Sequence, residues 1–94
     1  MKYIPKPIDT SDVILSEDLL KLSDLIAKNV HEVWAQARMN EGWVYGEKKD
    51  SVNKTTPCMV PYEELSDSEK AYDINTALET LKTITKLGFK IVKE

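Results

Sequence analysis

The chain has 94 residues, with 13 Lys and Arg against 16 Asp and Glu, and 41% of its residues are hydrophobic, a balance typical of one small globular domain. Its single cysteine excludes an internal disulfide and any multi-cysteine metal site, and the net charge of −3 argues against non-specific binding to nucleic acid. No apolar run approaches the roughly 20 residues of a membrane span, so we expect a cytoplasmic protein with about 5,500 Å² of folded surface.

Residues 1–12 are predicted to form an extended arm, because Pro5 and Pro7 lack backbone donors and hold their neighbours away from helical angles. Ser16 is then a good N-cap, followed by two acidic residues that suit the first turn of a helix. Apolar residues recur at helical spacing and predict a helix over 17–39 that ends before Gly42. This apolar stripe consists of Leu19, Leu22, Ile26, Val30, Val33 and Ala37.

Residues 42–62 contain two glycines and two prolines and are predicted to form an ordered loop. A loop of this length in a compact domain is often functional. A capping box at Ser66 and Glu69 opens a second helix, predicted over 67–87, with a break near 72–75 as an alternative. The alternation in 89–92 favours a short terminal strand, which would pair with residues 13–15. The fold class is therefore mainly α, with two long antiparallel helices and, as an open alternative, a short two-stranded β element.

Two motifs carry a resemblance to a known family. Residues 29–38 read N-x-H-x-x-W-A-x-x-R, and residues 42–46 read G-W-x-Y-G. Their order and separation resemble the ryanodine receptor repeat, or RyR domain, over nearly the whole chain. Further matching positions include Lys54, Pro57, Tyr62, Leu65, Glu69, Tyr72, Asp73 and Gly88.

The resemblance implies a helical, non-catalytic module of the kind found as tandem pairs in a large calcium-release channel and as single copies in prokaryotic and phage proteins. The single-copy type is the one expected here. The channel function is not implied, since no segment is long and apolar enough to span a membrane. Lys49 stands where the family commonly has arginine, which weakens a bidentate grip on an anion.

The candidate ligand-binding residues come from the first helix and the loop. His31, Trp34 and Arg38 share one helix ridge, so they form either a pocket wall or a core edge bonded to loop carbonyls. A planar, nucleotide-like anion would stack on tryptophan while lysines meet its phosphates; alternatively, the aromatic residues pin the loop and the lysines form a solvated face. The other candidates are Trp43, Tyr45, Lys49, Lys54 and Tyr62.

The sequence offers little for catalysis. Cys58 lies between Pro57 and Met59 with no obvious base and is interpreted as an inert thiol, and no residues have the spacing of metal ligands. We therefore expect no enzymatic activity, no cofactor and no metal site. The leading hypothesis is a non-catalytic binding or assembly module that self-associates as a homodimer or binds a protein partner. The alternative is a small-ligand sensor with a tryptophan-lined groove. An enzyme is a remote alternative.

Overall fold

The computed structural model describes residues 2–94 and is dominated by two long helices that pack against each other. Helix α1 spans Glu17–Asn40 and helix α2 spans Asp67–Lys86, so the predicted mainly α class is confirmed. Between them lie strands β1 (Val44–Tyr45) and β2 (Thr55–Thr56) and a 3-10 turn at Tyr62–Glu64. Neither helix is long and apolar enough to cross a bilayer.

Side chains close to the helix ends set where each helix begins and stops. The Ser16 hydroxyl accepts from the Leu19 amide at 3.3 Å, and Ser66 and Glu69 form the predicted capping box. After α1, Gly42 turns the chain with a φ of 94°, a conformation that favours glycine. The ammonium of Lys54 donates to the Glu41 carbonyl oxygen at 2.7 Å, which satisfies an acceptor at the helix C-terminus.

Two sequence predictions are corrected here. Residues 89–94 have no regular secondary structure, so the predicted strand at 89–92 is wrong; the β element is formed by β1 and β2 instead. The alternative break near 72–75 is also wrong, because α2 is continuous through this stretch. Packing of α2 along α1 overrides the weak helix propensity of these residues.

The packed core is small. Among residues 2–94, six apolar side chains are buried, and an alanine from each helix is almost fully buried: Leu15, Ala27, Met59, Leu65, Ala77 and Leu81. The accessible surface is 7634 Å², well above the expected 5,500 Å², so that expectation is wrong. Exposed residues of the arm and of the C-terminal tail contribute to the excess; Tyr3 is 82% and Val92 76% exposed.

The end of the arm is tied to α2 by polar contacts. The buried Thr10 hydroxyl donates to a Glu79 carboxylate oxygen at 2.8 Å. Lys86 forms an exposed ion pair with Asp12 at 2.9 Å, which adds little by itself because both groups are solvated. The buried bond is therefore the stronger anchor of the arm.

The two strands pair in parallel, with Val44 opposite Thr55 and Tyr45 opposite Thr56. Gly46 follows β1 and passes so close to β2 that an added Cβ would lie 2.5 Å from the Thr55 Cβ. A side chain at position 46 therefore requires the strand to move away from its partner.

We predict that Gly46→Ala lowers the free energy of unfolding by about 1–3 kcal/mol, the range for overpacked sites. Urea denaturation measures the change. The matched control is the same substitution in a Thr55→Gly background, where the opposing Cβ is gone and the loss should be much smaller. An equal loss in both backgrounds would show that the close approach is not the cause.

Candidate functional site

A pocket of about 190 Å³ opens between the two helices, and we call it the helix pocket. Helix α1 supplies one wall, the first two turns of α2 supply another, and the segment before α2 closes one side. The pocket therefore depends on the packing of the helices and on their connection. Its lining residues are His31, Trp34, Cys58, Leu65, Glu69, Tyr72 and Asp73.

His31 is the most buried polar residue of the helix pocket, at 4% exposure. Its Nε2 donates to the Val60 carbonyl oxygen at 2.7 Å; because a carbonyl only accepts, Nε2 carries a proton. The ring stacks on Trp34 at 5.5 Å between centroids and meets Tyr62 at 6.2 Å. These contacts fix the orientation of the imidazole and join α1 to the connecting segment.

The second nitrogen of His31 faces a different environment. Among residues 2–94, Nδ1 has no hydrogen-bond partner, yet no fully buried side-chain nitrogen or oxygen is left unpaired. Nδ1 is therefore not fully enclosed, and His31 lines the helix pocket. In the neutral ring Nδ1 presents a lone pair, because the proton is on Nε2.

Glu69 is held in place by its neighbours. It accepts hydrogen bonds from the Cys58 thiol and from the Ser66 hydroxyl, the latter at 2.8 Å. These bonds, that of Cys58 foremost, lower the pKa of Glu69 and keep its carboxylate charged. Burial and the Glu69 carboxylate raise the pKa of the Cys58 thiol, so this cysteine stays protonated and serves as a donor.

Asp73 lies one turn further along α2 and is half-buried. Within the described chain its carboxylate takes part in no hydrogen bond or ion pair. Burial raises the pKa of Asp73, the charged form of the nearby His31 opposes that shift, and the Glu69 charge adds to it. A partly desolvated carboxylate without a partner is a feature that a bound ligand would stabilise.

Glu69 and Asp73 should affect stability in opposite directions as the pH falls. The pKa of Glu69 is lowered from 4.5, so its stabilisation is present above pH 4.5 and is lost as the pH falls through the lower folded value. The pKa of Asp73 is raised from 3.8, so its destabilisation is present above the folded value and disappears as the pH falls towards 3.8.

We therefore predict that Glu69→Gln is less stable than the parent at pH 7 and that Asp73→Asn is more stable. Both differences should shrink in acid. Urea denaturation between pH 7 and pH 3 measures them, and each variant acts as the charge-neutralising control of the other. Shifts of the same sign at pH 7 would contradict the assigned environments.

The structure brings two of the predicted site residues, His31 and Trp34, into the helix pocket. Tyr62 is adjacent, against the His31 ring. Five residues that line the pocket were missed by the sequence analysis: Cys58, Leu65, Glu69, Tyr72 and Asp73. Glu69 and Asp73 are four residues apart, and this helical spacing was the available signal that they share a face.

The remaining predicted site residues do not line the helix pocket. Arg38 lies over the Trp43 ring, 5.1 Å from its centroid, and contacts Glu41 at 3.4 Å. Lys54 is bound to the end of α1, as described above. The other two, Tyr45 and Lys49, are exposed. The contacts of Trp43 and Arg38 therefore tie the loop to the end of α1. This arrangement agrees with the alternative in which aromatic residues pin the loop.

Several polar groups of the helix pocket can accept hydrogen bonds from a ligand. The His31 Nδ1 and the two carboxylates are acceptors, and Trp34 and Leu65 supply apolar surface. In the described part of the chain, no three His, Cys, Asp or Glu side chains are placed to hold a metal ion. This arrangement can hold a small organic group with polar hydrogens.

Comparison with protein families gives one finding. The model of the family described as the RyR domain matches residues 3–93, which is nearly the full length of the chain. The match includes both helices, the intervening β element and every residue of the helix pocket.

Proposed function

Because this chain belongs to the RyR domain family, we propose that it works as a non-catalytic binding module and that the helix pocket is where it takes its ligand. The observation that carries this proposal is the convergence of His31, Trp34 and Asp73 from two helices on one cavity. A concave site with aromatic walls and a few fixed polar groups is the usual form of a ligand site.

The size of the helix pocket restricts what it binds. Its 190 Å³ is below the roughly 300 Å³ at which pockets for drug-sized ligands begin. A single side chain or a small organic molecule fits this volume, whereas a whole nucleotide is larger. The two carboxylates also repel phosphate, and Lys54 is already bound to Glu41, so the nucleotide-like anion is the less favoured ligand.

Tryptophan fluorescence can test the proposal, because Trp34 lines the pocket and Trp43 does not. We suggest titrating Trp43→Phe, in which Trp34 is the one tryptophan, and the reciprocal Trp34→Phe with small cationic, neutral and anionic compounds. A saturable change in the first variant and none in the second supports the proposal. No response of Trp34 to any compound, together with no thermal stabilisation, would contradict it.

Self-association is a second candidate function, favoured by exposed apolar surface. A groove of about 440 Å³ between the first half of α1 and the tail is lined by Leu22, Leu25, Ile91 and Val92. The total surface exceeds the expected value by about 2,100 Å², the order of area that a standard interface buries. A second copy of the chain, packed through this groove, would remove part of that excess.

Sedimentation velocity over a range of concentrations tests this candidate. A dimer that Leu25→Glu abolishes and Val52→Glu leaves intact would support it, because Val52 is an exposed apolar residue of the loop and does not line this groove. A monomer at every concentration would contradict it.

A further inference from the structure

We infer that the helix pocket selects an organic cation with N–H donors on an aliphatic stem, an alkylammonium or alkylguanidinium. This inference rests on the proposed function and names the ligand class for the same site. It comes from the fixed hydrogen-bonding roles of three groups in the pocket: the His31 imidazole and the carboxylates of Glu69 and Asp73.

Two hydrogen-bond donors of the pocket lining are used within the protein. The Nε2–H of His31 goes to the Val60 carbonyl, and the Cys58 thiol goes to Glu69. The acceptors that remain for a ligand are the Nδ1 of neutral His31, a residue that is 96% buried, and the Asp73 carboxylate, because both oxygens of Glu69 already accept hydrogen bonds from Cys58 and Ser66. A ligand that matches these acceptors has to supply hydrogens.

Charge points in the same direction. Asp73 is half-buried and has no partner among the described residues, and Glu69 is kept ionised by its neighbours. A cation between them would replace the water that Asp73 has lost and relieve the repulsion between the two carboxylates. An anion would be repelled by both carboxylates.

The apolar walls define the rest of the ligand. Leu65 is buried at the pocket side and offers contact to an aliphatic stem. Trp34 and the exposed Tyr72 present aromatic rings to a cation at the pocket mouth. A lysine or arginine side chain of a protein partner and a small free amine share this chemistry, and 190 Å³ accommodates either.

The test uses Trp43→Phe protein with four probes of similar size: n-butylammonium, n-butylguanidinium, butyrate and tetramethylammonium. Trp34 fluorescence should respond saturably to the first two and weaken with added salt. Butyrate should not bind, and tetramethylammonium, which has no N–H, should bind at least tenfold more weakly. Binding of butyrate as tight as that of the cations would overturn the inference and leave the proposed function standing. No binding by any probe would overturn the inference, and the broader titration described above would then decide the proposed function.

Matched variants locate the interaction. Asp73→Asn should reduce affinity for n-butylammonium at least tenfold, whereas Asp67→Asn, the same change on α2 outside the pocket, should alter it less than twofold. Thermal melts confirm that each variant is folded. Equal affinities of the two variants would overturn the assignment of Asp73 as the partner of the cation.

The source of the cation is tested with the peptide Gly-Gly-Lys-Gly-Gly, blocked at both ends. Binding at least as tight as that of n-butylammonium supports a side chain of a protein partner. Binding of the free amine alone supports a small metabolite amine. Binding of neither the peptide nor the free amine overturns the inference.

Discussion

Replacing His31 with leucine is expected to lower the free energy of unfolding by about 3 kcal/mol. Leucine has nearly the same volume, but it cannot donate to the Val60 carbonyl, and an unpaired buried acceptor costs about 1–3 kcal/mol. The stacked contact with Trp34 is lost as well, which adds about 0.5–1.5 kcal/mol. For a chain of this size the melting temperature should fall by more than about 10 °C.

The matched variant is His31→Gln, whose amide can still donate to Val60. It should recover about 1 kcal/mol or more of the loss, because the carbonyl is paired again. Calorimetry and urea denaturation measure both variants. If leucine and glutamine are equally destabilising, or if leucine is neutral, the bond from His31 to Val60 does not join α1 to the connecting segment as described.

Replacing Leu81 with alanine is expected to destabilise the fold by about 2–5 kcal/mol. Leu81 is 5% exposed and is one of six buried apolar residues, so its removal leaves a cavity in a core with few other contacts to compensate. A domain of this kind has about 5–15 kcal/mol of stability in total, so the variant should be partly unfolded at physiological temperature.

Leu25→Ala is the control for that experiment, since Leu25 is 70% exposed on α1 and the same atoms are removed. Its effect on monomer stability should be about 0.5 kcal/mol or less. A loss at Leu81 as small as the loss at Leu25 would contradict the assignment of Leu81 to the core.

The helices were predictable because their signals are local. Ser16 and Ser66 mark the starts, and both cap hydrogen bonds are present in the structure. The β element was not predictable in its register, because a parallel pairing of residues 44–45 with 55–56 joins segments whose local patterns are too short to reveal it. The predicted terminal strand failed for the same reason: the alternation in 89–92 is real, but the tail lies beside α1 and not beside a strand.

Part of the helix pocket could be predicted from the sequence. His31 and Trp34 stood out because they share a helix ridge, and both line the pocket. Glu69 was interpreted as part of a capping box, and the structure confirms that role. Sequence gives no measure of how α2 faces α1, so the second role of Glu69 and the unpaired state of Asp73 emerged from the packing.

The loop lysines were interpreted from their charge in two ways, as contacts for the phosphates of a ligand or as a solvated face. In the structure Lys54 donates to the Glu41 carbonyl at the end of α1, and Lys49 is exposed and does not line the helix pocket. A cation beside a helix C-terminus is favoured by the helix dipole, and that local role can account for Lys54 without a ligand. The positive charge of the loop therefore does not define the ligand class.

The most direct test of the binding role is a two-dimensional ¹H–¹⁵N NMR titration of the intact chain with n-butylammonium. The expected result is a set of saturable shift changes at the Trp34 indole and at the amides of residues 69–73, with the Trp43 indole unmoved. Changes centred on Trp43 and the loop, or no saturable change up to high millimolar amine, would contradict a cation-binding pocket between the two helices.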